Sequence, residues 1–232
     1  MATPADRERV LGTLVPAFVE DPVLRYMFPD DADYPVQAAA FFGHLFDKRV
    51  GRRAIWIVDG GSSVAIWEPP PTAGALPPTA GALPPTAGAL PPTAGALPAS
   101  SIRVRSADPI SSAGSAPDAV SEPDAGFAGV FSGAALGRVL AYDSAVHAVM
   151  PVGPYWYLGV LGTRPEQTGR GWGRAVMAEG LRRAAADGLP AVLETSKPAN
   201  VEFYERAGWR VVGVAASPVP TWVMQQGPAA GS

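Results

Sequence analysis

Cysteine is absent from the 232 residues, which removes disulfides, zinc knuckles and a thiol nucleophile together. Histidine is scarce: only His44 and His147 occur, too few for a histidine-based metal site, and no metal is expected. Charge is thin and unclustered. The 18 basic residues are scattered and the net charge is −3, so no nucleic-acid partner is expected. No apolar run approaches the roughly 18 residues of a membrane span, and the first residues lack a signal-peptide core. The expectation is a soluble, cytoplasmic protein without a membrane partner.

What is abundant is apolar side chain, at 47%, enough to bury one substantial core with accessories. Val10, Leu11, Leu14, Val15, Phe18 and Val19 recur at helical spacing after Asp6, with Pro16 inside the pattern predicting a kink or an early end. A short helical turn is expected between Asp21 and Asp30, then a second long helix from Tyr34 to about Val50. Residues 54–58 and 63–67 read as strands joined by the turn Asp59-Gly60-Gly61-Ser62. Pro-Pro-Thr-Ala-Gly-Ala-Leu then occurs four times without change from Pro70 to Leu97. Two prolines and a glycine per unit forbid a helix, and the small uncharged side chains offer little to offset ordering entropy. A disordered Pro/Ala/Gly-rich insertion over 69–130 is expected, dividing an N-terminal part (1–68) from a C-terminal part (131–226), with a frayed tail at 227–232.

After the insertion, 131–149 return to helical spacing. Tyr155 to Leu161 is apolar, aromatic and branched, as a buried strand is, and Arg164-Pro165 end it. Gly169, Gly171 and Gly173 alternate with Arg170 and Trp172, and a helical pattern begins at once, closing at Gly188. A strand feeding a glycine-rich turn that opens a helix is an anion cradle, because the first helical amides lack partners and the dipole there is positive. Arg170 and Arg174 would add charge. The spacing fits neither a Walker loop, which needs a following lysine, nor the dinucleotide fingerprint, whose third glycine place holds Arg174. Strands at 191–195, 209–214 and 221–225 and a short helix at 198–207 complete the chain.

This turn resembles the acyl-CoA pyrophosphate loop of the GNAT acetyltransferases, Gln/Arg-x-x-Gly-x-Gly/Ala. Gly171 and Gly173 fill its glycine places, while Thr168 stands where the family usually has Gln or Arg. The second family signature, Asn-x-x-x-Tyr-x-x-x-Gly-Phe/Trp, is matched by Asn200, Tyr204, Gly208 and Trp209. Within the family, Val64 to Trp67, Trp156-Tyr157-Leu158, Leu193-Glu194-Thr195-Ser196 and Thr221 to Met224 look like the puromycin N-acetyltransferase branch. The likeness covers nearly the whole chain outside 69–130. One departure is that family members usually open with a strand, whereas this chain opens with a helix.

The resemblance implies an α/β GNAT fold, a mixed central sheet flanked by helices, and transfer of an acetyl group from acetyl-CoA to a small-molecule amine. The pantetheine arm would lie along Leu161, Gly162 and Thr163, and the pyrophosphate on Thr168, Gly169, Arg170, Gly171, Trp172, Gly173 and Arg174. Asn200 would bond the arm or the backbone beside it, or else cap its helix. Tyr204 is the expected general acid, a phenol that stays protonated at neutral pH, unless it only packs its helix on the sheet. Glu194 is the expected base, or else a structural carboxylate; Glu68 and His147 are weaker candidates. Phe28, Trp67 and Tyr26 would line the acceptor pocket unless they are core. The protein would be a monomer or homodimer. A protein or peptide acceptor, a non-catalytic acyl-CoA-binding module and an interaction protein using its repeats are the alternatives.

Overall fold

A computed structural model describes residues 1–71 and 125–227. The repeats beyond Pro71 and the tail from residue 228 lie outside the described residues, and with them the expectation of disorder there.

Three helices come first: α1 (Arg7–Ala17), α2 (Pro22–Met27) and α3 (Tyr34–Val50). Pro16 sits in the last turn of α1 and the helix stops one residue later, the early end that a missing donor predicts. Asp21 caps α2, its carboxylate accepting from the amides of Val23 and Leu24 at 3.0 and 3.2 Å while Pro22 occupies the first turn. The hairpin β1 (Ile55–Val58) and β2 (Ser63–Glu68) turns through Gly60, at φ +61°. Then follow α4 (Gly133–His147), β3 (Trp156–Thr163), α5 (Trp172–Ala186), β4 (Ala191–Thr195), α6 (Pro198–Glu205), β5 (Arg210–Ala215) and β6 (Thr221–Gln226).

The strands form one sheet in the order β1-β2-β3-β4-β6-β5, in which β3 and β4 are parallel and the other neighbours antiparallel. This is the expected mixed sheet. At its β1 edge the amide of Ala2 donates to the carbonyl of Ile55 at 2.9 Å, so the residues before α1 attach to the sheet without forming a strand. β3 runs two residues beyond the predicted end, because Val64 and Ser63 of β2 carry the ladder on to Gly162 and Thr163.

Two cores flank the sheet. Val10, Leu14, Phe42, Phe46 and Val139 of α1, α3 and α4 cover one face with Val64, Ile66, Val160 and Val192. Val176 and Met177 of α5 and Tyr204 of α6 cover the other with Ala65, Trp67, Leu158 and Leu193. Leu158 and Val160 should share a face by strict alternation, yet they do not. The register slips between Ile66–Val160 and Trp67–Leu158, leaving Gly159 as the extra residue of a bulge that reverses the facing.

Two readings shift. Phe127, in the short turn Ala125–Gly129, is buried and stacks on Phe41 at 5.1 Å with the rings 2° from parallel; Phe131 packs on Phe28 at 5.1 Å. The packed chain therefore resumes ahead of the boundary at 130. Val36, an apolar residue in the first turn of the expected second helix, is 74% exposed and takes no part in the core.

Gly180 of α5 lies against the fully buried Trp67, and a Cβ built there would stand 2.1 Å from Trp67 Cε2. Alanine gains about 1 kcal/mol of helix propensity over glycine, but overpacking a rigid core costs about 1–3 kcal/mol. Gly180→Ala is expected to lower the urea midpoint. An unchanged or higher midpoint would contradict the contact.

Candidate active site

Strands β3 and β4 pair only at Trp156–Ala191, Tyr157–Val192 and Leu158–Leu193. Beyond these, Val160 to Thr163 stay bound to β2, while Glu194 and Thr195 stay bound to β6. The two strands therefore part after Leu158 and Leu193, beside the Gly159 bulge. Backbone N–H and C=O groups on facing edges of a parted parallel pair must find partners elsewhere, and an extended ligand bearing amides can supply them. Leu161, Gly162 and Thr163 lie on this stretch of β3. Gly162 lets α1 pack close to this stretch: a Cβ there would meet Leu14 Cδ2 at 2.6 Å.

The chain leaving β3 is tied down at once. Arg164 donates its amide to the carbonyl of Ser62 at 2.9 Å and its Nε to Thr13 Oγ1 at 3.1 Å. A turn at Pro165–Gln167 follows, and the hydroxyl of Thr168 donates to the carbonyl of Pro165 at 2.9 Å. Thr168 thus serves the loop itself. Gly169 and Gly171 take φ of +78° and +81°, the left-handed region that a side chain would strain. α5 opens directly after, with Gly171 at the cap position and no side chain capping its first turn. Gly173 faces Thr163, whose Oγ1 would lie 3.7 Å from a Cβ there, so strand end and helix start adjoin. Gln167 Oε1 and Trp172 Nε1 are buried at this turn without a hydrogen-bond partner. Amides free of caps, a positive dipole and two unpartnered polar atoms suit a phosphate-bearing ligand with further polar groups. Arg170 is exposed, and the Arg174 guanidinium lies 5.3 Å over the Phe203 ring, joining the start of α5 to α6.

α6 stands at the end of β4. Asn200 does not cap it, since Lys197 holds that position; the Asn200 Nδ2 instead donates to Thr195 Oγ1 at 3.2 Å, fixing the helix to the strand end. Tyr204 is 7% exposed, with ring contacts to Phe203 at 5.2 Å and Trp209 at 5.9 Å. Burial pushes its phenol above the usual range and the charge of Glu194 adds to this, so the hydroxyl stays protonated throughout the working pH range.

Glu194 faces the other way, on the side of Val192 and α4. Its Oε2 accepts a hydrogen bond from the Tyr157 hydroxyl. Burial raises its carboxyl to about 7, against the Tyr157 bond, which favours the charged form. Two groups of α4 act on it in opposite senses, Asp143 raising it and His147 lowering it. His147 Nδ1 lies 2.9 Å from the Asp143 carbonyl and 3.3 Å from its Oδ1, and the Asp143 carboxylate lifts the imidazole to about 8. Glu68 is held by Arg49 at 2.5 Å and Arg52 at 3.6 Å, a structural engagement.

Phe28 and Trp67 are not brought together. Phe28 is fully buried with Phe41 and Phe131 in the α1/α3/α4 core, and Trp67 is fully buried beneath α5 in the other. With no exposed surface and a place in separate cores, the two side chains pack as core and form no common pocket wall. Tyr26 is half-buried on α2 against the first core. The partner that sequence reasoning missed is Tyr157. Two-residue alternation along β3 and β4 carries the signal, but only once their register is known. A surface hollow lined by Arg7, Ala40, His44, Asp47, Lys48 and Val130 lies apart from all of these groups.

Residues 108–209 match the profile of the Acetyltransferase (GNAT) family. Among solved structures, the fold is similar to "histone acetyltransferase HPA2 and related acetyltransferase" of Corynebacterium glutamicum, at TM-score 0.57 and 19% identity over 100% of this chain and 96% of that one. It is also similar to an agmatine N-acetyltransferase, at TM-score 0.55 and 14% identity over 97% and 95%. A mosquito arylalkylamine N-acetyltransferase like 5b gives TM-score 0.51 and 10% identity over 97% and 96%.

A pH effect follows from Glu194. Its folded value, about 7, lies above the ordinary 4.5, so its stabilising contribution is complete below about 4.5 and is lost as pH rises through 7. His147, raised from 6.5 to about 8, likewise loses its contribution as pH rises through 8. The melting temperature should fall between pH 5 and 8, and Glu194→Gln should make the fall shallower by raising stability at pH 8. Equal slopes in the two proteins would contradict the buried carboxylate.

Proposed function

We propose that this chain is a GNAT acetyltransferase that moves an acetyl group from acetyl-CoA to the amine of a small molecule by direct attack. The observation that carries this reading is the parting of β3 and β4 beside the uncapped first turn of α5, a slot and an anion cradle in one line. The pantetheine arm would pair with Leu161 to Thr163, and the pyrophosphate would rest on the amides from Thr168 to Arg174. The buried Gln167 Oε1 and Trp172 Nε1 supply polar demand at that place.

Four things are required of the residues. The donor is held by the slot and cradle. The amine nitrogen attacks the thioester carbon while its proton passes to Glu194, whose raised value of about 7 suits a base working near neutrality. A backbone N–H of the parted β3 stretch donates to the carbonyl oxygen as it gains charge; elsewhere the loss of one such donor costs about 2.7–4 kcal/mol. As the carbon–sulfur bond breaks, the sulfur takes a proton from Tyr204. Acetamide and free thiol result, and the two side chains restore their protons through solvent.

A small amine as acceptor is supported by the names of two structural neighbours, which act on agmatine and on arylalkylamines. The likeness of 64–67, 156–158, 193–196 and 221–224 to the puromycin N-acetyltransferase branch points the same way.

Two variants test the roles separately. Tyr204→Phe should cut acetyl transfer, followed as thiol release, by about a hundredfold or more while acetyl-CoA affinity measured by calorimetry stays close to wild type. Binding without thiol release by the wild type, over a panel of amines, would support a non-catalytic acyl-CoA-binding module instead. Gly171→Asp forces a side chain into left-handed backbone at about 1–2 kcal/mol and sets a carboxylate against the pyrophosphate. Coenzyme A binding should be lost, and retained binding would move the pyrophosphate off this turn.

A further inference from the structure

Tyr157 and Glu194 stand on the two strands that part. The register pairs Tyr157 with Val192, which puts Glu194 two residues further along β4 on the same face. Glu194 is therefore the first residue of β4 beyond the last β3–β4 pair, Leu158–Leu193. From β3 the Tyr157 hydroxyl reaches across to it and donates to Oε2. One side-chain hydrogen bond spans the mouth of the opening where backbone pairing has ceased.

We propose that Tyr157 is a positioning residue for Glu194: its hydroxyl fixes the carboxylate at the parting and holds it ionised to receive the proton of the acceptor amine. This rests on the acetyl-transfer reading given above. Of the contacts that favour the charged form of Glu194, the Tyr157 hydroxyl is the largest, ahead of the backbone amide of Glu194 and the charge of His147. On α4, Asp143 opposes ionisation of Glu194 and His147 favours it, and the two are paired with each other. Tyr142 of α4, Tyr155 ahead of β3 and Tyr204 of α6 also feel the Glu194 charge. Further out, Asp21 at the start of α2 acts on Tyr142, Glu68 of β2 on Tyr155, and Arg49 of α3 on Tyr157. Among these groups Tyr157 holds the direct hydrogen bond to the carboxylate. A phenylalanine keeps the ring and removes only the donor, so the carboxylate loses the contact that favours its charged form.

The test uses the full chain. Infrared titration of the carboxyl stretch, with Glu194→Gln assigning the band, gives the Glu194 midpoint in wild type and in Tyr157→Phe. The variant should move it upward by about half a pH unit or more. Replacing Tyr157 by 3-fluorotyrosine, a stronger donor of the same shape, should move it downward. In thiol-release assays with agmatine and phenethylamine as probe acceptors, the acid limb of kcat/KM should shift with the midpoint while the KM for acetyl-CoA stays constant. A merely structural tyrosine would leave that limb in place. Unshifted midpoints in both variants with thiol release intact overturn the positioning role and leave acetyl transfer standing. Shifted midpoints with no thiol release from any amine overturn acetyl transfer and uphold the Tyr157–Glu194 bond.

Discussion

Parallel strands normally stay paired to their ends, since each unpaired backbone group buried away from water costs free energy. Here β3 and β4 keep only the pairs from Trp156–Ala191 to Leu158–Leu193, and each then follows a different neighbour, β2 on one side and β6 on the other. The Gly159 bulge stands at the point of separation, on the β2 side of β3. Beyond that point each strand keeps the ladder on its outer edge, and the facing edges of β3 and β4 are left unpaired. The opening is thus held by the rest of the sheet, and the loop from Arg164, tied to Ser62 and Thr13, delivers α5 to its mouth.

That constraint also bears on how the proposed acid and base, on opposite faces of the sheet, would serve one site. Tyr204 belongs to the core beneath α5, and Glu194 points to the side of α4. Within a continuous sheet the backbone would separate them. At the end of β4, however, α6 begins directly, and Asn200 ties it to Thr195, so Tyr204 lies within electrostatic reach of Glu194. Burial raises both groups, which suits the expected base; the phenol, already protonated at neutral pH, only becomes harder to ionise.

Much of this architecture was legible from residue patterns. The α3 boundaries at Tyr34 and Val50 and those of β4 at Ala191 and Thr195 coincide with the periodic segments, because apolar spacing and flanking Pro or Gly mark them locally. The glycines at 169, 171, 188 and 208 all take the positive φ that their positions in turns and helix ends require. Long-range facts were not legible. Nothing local says that Phe28 and Trp67 fall on opposite faces, because the face of a strand residue depends on pairing partners and on the bulge. Phe127 was hidden in an Ala/Gly-rich window whose composition outweighed one aromatic, although that ring stacks on Phe41 in the core. The hydrogen bond between Tyr157 and Glu194 joins residues 37 apart in the chain and depends on a register that sequence alone does not fix.

A crystal structure of the full chain with coenzyme A examines the opening most directly. The account predicts the pyrophosphate on the amides between Thr168 and Arg174, and the pantetheine extended between β3 and β4, hydrogen-bonded beside Leu161 to Thr163. Coenzyme A bound on another face, or β3 and β4 zipped together beyond Leu158 and Leu193, would contradict it.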